Sequence, residues 1–89
     1  MARMDMGTLQ EIECAAQAGT PDALFRLGIA YSTGREVTTD LVSAHKWFNL
    51  AALRGNREAL IYRKEIAMEL NGAQIAEAQR QARAWLRSN

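Results

Sequence analysis

The chain has 89 residues, with 48% hydrophobic and 24% charged side chains and 11 lysines and arginines against 10 acidic residues. That composition belongs to one small folded domain and excludes a largely disordered chain. A net charge of +1 leaves no basic surplus for nucleic acid or anionic lipid. A single cysteine, Cys14, excludes an internal disulfide, and a single histidine, His45, excludes a catalytic triad or a multi-histidine metal site.

In chain order, the segment Met1 to Gln10 is interrupted by Arg3 and Asp5 and does not read as a secretory signal. No uncharged run approaches the ~20 residues that span a bilayer, so no membrane insertion is expected and the expected location is the cytoplasm, with the periplasm open. Ile12 and the run Ala15-Ala16-Gln17-Ala18-Gly19 look like the tail of a helix, placed over residues 7–18. Thr20 and Pro21 suit the cap and first position of the next helix, which runs to about Ser32. Ala23, Leu24, Leu27, Gly28, Ala30 and Tyr31 share one side of it. After the turn-rich Thr33 to Thr39, Asp40 caps a third helix whose apolar side carries Leu41, Ala44, Trp47, Phe48, Ala51 and Ala52, and Gly55 can end it. Asn56 caps a fourth, with Ala59, Leu60, Tyr62, Ile66, Ala67 and Leu70 as its stripe. Asn71-Gly72 breaks that helix, and a fifth, from about Ala73 to Arg87, presents Ile75, Ala78, Ala82, Trp85 and Leu86.

The helices repeat. Gly19, Ala23 and Leu24 return as Gly55, Ala59 and Leu60, 36 residues on, and Gly34, Ala44 and Trp47 return as Gly72, Ala82 and Trp85, 38 residues on. The drift of two implies a longer first helix in the second unit. A period in the thirties with two helices per unit is the mark of an α-solenoid.

Read whole, the set Gly19, Ala23, Leu27-Gly28, Tyr31, Gly34, Val37, Asp40, Ala44, Trp47-Phe48, Ala51-Ala52 and Gly55 closely resembles the Sel1-like repeat, a relative of the tetratricopeptide repeat. The resemblance implies an all-α superhelix of about five helices: a partial helix at 7–18, a full repeat at 19–55 and a degenerate capping repeat at 56–88. In that last unit Arg63 and Lys64 stand where Leu27 and Gly28 stand in the first. Such repeats serve as adaptors or scaffolds without chemistry of their own, often in bacteria, so the resemblance implies a protein partner, no cofactor, no metal and no enzyme activity. A homo-oligomer joined through an open end of the short stack is the alternative.

By similarity to tetratricopeptide arrays, the first helix of each unit lines a concave groove. The residues this assigns to partner binding are Asp22, Phe25, Ile29 and Ser32 in the first unit and Glu58, Ile61, Glu65 and Met68 in the second. They would suit a peptide or helix with apolar anchors and some basic side chains. The competing expectation is that the N-terminal helix folds over Phe25 and Ile29. His45, at the edge of its stripe, is expected to be a packing or surface histidine, and Glu65 and Glu69 with Arg63 and Lys64 to form surface pairs. Arg80, Arg83 and Arg87 around Trp85 raise a nucleic-acid or membrane reading, but Trp85 and Leu86 fill the repeat positions of Trp47 and Phe48 and are better explained as packing.

Overall fold

The computed structural model describes residues 9–88, and expectations about the leader and about a helix start at residue 7 lie outside them. Five helices follow one another: α1 (Leu9–Gln17), α2 (Pro21–Thr33), α3 (Leu41–Leu53), α4 (Glu58–Ala67) and α5 (Gly72–Ser88). No strand occurs among the described residues.

The helix ends follow from local chemistry. Pro21 opens α2, with the Thr20 carbonyl accepting from Leu24 N–H at 3.0 Å, but the Thr20 hydroxyl caps nothing. Asp40 caps α3 in full: one carboxylate oxygen accepts from Ser43 N–H at 3.2 Å and the other from the Ser43 hydroxyl at 2.9 Å. Gly19 and Gly55, the recurring glycines, end α1 and α3 in the same way. Each takes a left-handed backbone (φ 83° and 107°) and donates to the carbonyl three residues back, Ala16 or Ala52, while the next residue reaches Ala15 or Ala51. Identical endings at equivalent positions are the repeat expressed as hydrogen bonds.

α3 is the central element, because α2, α4 and α5 all pack closely against it while α1 packs on α2. Its surroundings explain where the expected stripe was too narrow. Leu50, which was not assigned to the core side, is buried alongside Ala44, Phe48 and Ala51, and His45, placed at the edge of the stripe, is buried with them as a packing histidine, since a helix with neighbours on three sides has little outer face left. α2 buries the expected Ala23, Leu24, Leu27, Gly28 and Ala30.

The second unit departs from expectation. α4 has 10 residues against 13 in α2, so its helix is shorter, not longer; the extra residues instead extend α5 at its start, where the first unit has an open loop. Only Ala59 of the α4 stripe is buried, and Leu60 and Tyr62 are exposed. α4 and α5 each lie along α3 and scarcely approach one another, whereas α2 and α3 pack intimately. The α2–α3 contact depends on Gly28, where a methyl group would sit 2.5 Å from Cδ1 of the fully buried Phe48 ring. With Lys64 in place of that glycine and Leu86 in place of that ring, the second hairpin has no such nesting point.

Candidate protein-binding face

Two first helices of the repeat units, α2 and α4, meet through aromatic side chains. The Phe25 ring lies edge-on to Tyr62 of α4 at 5.1 Å between centroids and tilted against Phe48 of α3 at 5.7 Å; Tyr62 and Phe48 are 5.4 Å apart. The ring contacts of Phe25 thus come from α3 and α4. Phe25 and Ile29 are both half-buried and packed against the core.

The remaining groove candidates divide by unit. On α2, Asp22 is exposed and paired with Arg26 at 3.2 Å, and the Ser32 hydroxyl donates to the Ile29 carbonyl at 3.0 Å. On α4 and its C-cap, Ile61 and Met68 are 59% and 81% exposed, and Glu58 and Glu65 stand exposed beside them. The apolar surface that this set offers to solvent is therefore concentrated on α4.

The inner side of α4 holds a polar contact that sequence reasoning placed elsewhere. Arg63, expected to pair on the surface with Glu65 and Glu69, turns to α3 and donates from Nη1 to Asn49 Oδ1 at 2.6 Å. Arg63 occupies the repeat position of the buried Leu27, which was the available signal that it would face inward. One helical turn before Asn49, His45 is only 4% exposed, and its Nδ1 has no hydrogen-bond partner. Burial, reinforced by the charge of Arg63, holds the imidazole pKa below the ordinary histidine value.

Between the loop after α2 and the turn before α5 lies an open cleft of about 550 Å³, with Tyr31, Asp40, Val42, Glu69, Leu70 and Gln74 among its walls. No motif marked it, because its two sides, residues 31–42 and 69–74, are separated in the sequence by most of α3 and α4, and Asp40 is already used as a cap. Between the units, Trp47 and Trp85 meet edge-on at 6.1 Å, and the guanidinium of Arg54 lies over Trp85 at 5.8 Å. Trp85 is thus engaged in packing, and Arg80 is bonded to Glu77 at 2.9 and 2.6 Å. Cys14 is exposed and unpaired. Among the described residues no three His, Cys, Asp or Glu side chains gather as a metal site, and no helix is long and apolar enough to cross a membrane.

Helices stacked on a shared central helix, ended by recurring glycines and joined by interleaved aromatic rings, define an α-solenoid repeat protein. Residues 21–56 match the family model of the Sel1 repeat, and the chain is a Sel1-like repeat protein. Sel1 repeats mediate protein–protein interaction. No curated protein matches the chain.

Proposed function

We propose that this protein is an adaptor or scaffold module that holds a segment of another protein along α2 and α4. What carries the reading is the exposure of Ile61 and Met68 (59% and 81%) on a short helix, with carboxylates of Glu58 and Glu65 next to them. Large apolar side chains left in water over a first helix of the repeat are usable binding area, and the carboxylates favour a partner whose apolar anchors alternate with lysine or arginine. In this reading the half-buried Phe25, Ile29 and Ser32, with the exposed Asp22, form the α2 wall of the same groove. A reducing, cytoplasmic setting suits the exposed thiol of Cys14.

A display library of amphipathic 15-residue peptides tests it. Selected peptides should carry apolar anchors at helical spacing with basic neighbours, and binding should be lost on Ile61→Ser with Met68→Ser, while far-ultraviolet circular dichroism is unchanged. Selection of acidic peptides, or binding indifferent to both substitutions, would remove the groove.

A further inference from the structure

The cleft between the loop after α2 and the turn before α5 combines an apolar lining with charge of one sign. Tyr31, Leu41, Val42 and Leu70 are its half-buried lining, while Asp40 and Glu69 stand exposed, one on each side. Its lining residues include no lysine, arginine or histidine. A volume of about 550 Å³ falls within the roughly 300–1,000 Å³ of small-ligand pockets. Both walls are set by local bonds. On one, Asp40 N–H donates to the Tyr31 carbonyl at 2.9 Å, the Asp40 carboxylate is held by Ser43, and a methyl at Gly34 would sit 2.5 Å from the Thr39 hydroxyl. On the other, Asn71 and Gln74 accept each other's backbone N–H. Neither carboxylate joins the ion pairs among the described residues, Asp22–Arg26 and Glu77–Arg80. Lys46 feels the charge of Asp40, but its ammonium lies over the Trp47 ring at 4.3 Å.

We propose that this cleft takes an arginine side chain of the partner protein, its guanidinium between Asp40 and Glu69 and its methylenes on Leu41, Val42 and Leu70. The proposal rests on the reading of the chain as holder of a segment with basic side chains, and it gives one of them a seat. A guanidinium spreads five N–H donors around a plane, so one group can serve carboxylates on facing walls, and it sheds water more readily than an ammonium does. Its flat face also stacks on an aromatic ring, which Tyr31 offers. An acidic side chain would meet two carboxylates of its own sign, and an apolar one would strip water from them with no hydrogen bond in return. The cleft lies past the ends of α2 and α4: Ser32 and Met68, the last groove positions of the two units, adjoin Tyr31 and Glu69 in sequence. A single side chain in an open cleft binds weakly by itself, with a Kd on the order of a millimolar. Its effect is larger when the rest of the segment is already held, because the second contact is then intramolecular.

Nuclear magnetic resonance titration of the isotope-labelled whole chain with N-acetyl-arginine amide reads it directly. The amide signals of Thr39, Val42 and Leu70 should shift along one saturable curve. The citrulline counterpart, of similar shape without the charge, should leave them in place, and N-acetyl-lysine amide should bind more weakly than the arginine probe. Glu69→Gln and Asp40→Asn should each weaken binding about threefold, in keeping with the modest worth of exposed charge pairs; asparagine is chosen because it still caps a helix. Glu69→Lys should abolish binding with circular dichroism unchanged. Equal shifts with citrulline, lysine binding as well as arginine, or shifts that never saturate or fall away from the cleft overturn the proposal. If the arginine probe fails while selected peptides still need Ile61 and Met68, the cleft site is wrong and the groove stands. If the probe binds while peptides ignore both substitutions, the groove falls and the cleft stands.

Discussion

At the scale of single residues, Gly28 and Phe48 act as one unit. A methyl at position 28 would meet three atoms of the Phe48 ring within 2.9 Å, and that ring is fully enclosed and cannot withdraw. Gly28→Ala should therefore lower stability by about 1–3 kcal/mol, the usual range for overpacking. In a Phe48→Leu background the penalty should shrink, since the smaller side chain frees the space; equal penalties in both backgrounds, measured by urea unfolding, would refute the contact as the cause. His45 has a different kind of constraint. Its folded-state pKa is depressed, by burial first and by Arg63 second, so between the folded and unfolded values the unfolded chain binds more protons and stability rises with pH. The urea midpoint should be flat above the ordinary histidine pKa and fall as the solution is acidified through it. His45→Gln should flatten that fall, and an unchanged slope would assign it to other groups.

At the scale of helices, the sequence pattern was most reliable where side chains act on their own backbone. Asp40, Gly34 and Gly55 were readable as punctuation because capping and left-handed turns need only neighbours in sequence. Asp40→Ala should cost about 1 kcal/mol, with the loss confined to the α3 start in hydrogen exchange. The capping pair Asn71 and Gln74, each accepting the other's backbone N–H at 2.8 and 2.9 Å, was missed because Asn71-Gly72 reads first as a breaker. α4 was harder still. Its apolar residues occupy both sides, so periodicity alone cannot say which side meets α3, and Leu60 and Tyr62 were assigned inward although they are exposed. The candidate face was legible as a set of positions, but the half-burial of Phe25 and Ile29 depends on rings from α3 and α4 that no spacing rule reports. Arg63→Leu tests the α4 register: with the positive charge removed, the His45 pKa in a nuclear magnetic resonance titration should rise, yet stay below the ordinary value because burial persists. No change would mean that Arg63 does not face His45 in solution.

At the scale of the molecule, stability should be graded rather than uniform, because a repeat array is a sum of units and the contacts between them. α3 touches α2, α4 and α5, whereas α1 rests chiefly on α2 and α4 and α5 do little for each other. Freeing α4 from α3 breaks the Arg63–Asn49 bond and uncovers Phe48 on one side, but leaves the α2–α3 hairpin with Gly28 and the ring in place. Openings of the end helices are therefore cheaper than unfolding of the centre. In native-state hydrogen exchange the amides from Ala44 to Ala51 should exchange only by global unfolding, those of α1 and α4 through smaller openings at lower free energy. Equal protection along all five helices would mean that the molecule opens as a single unit, and the picture of one tight hairpin carrying two looser ends would be wrong.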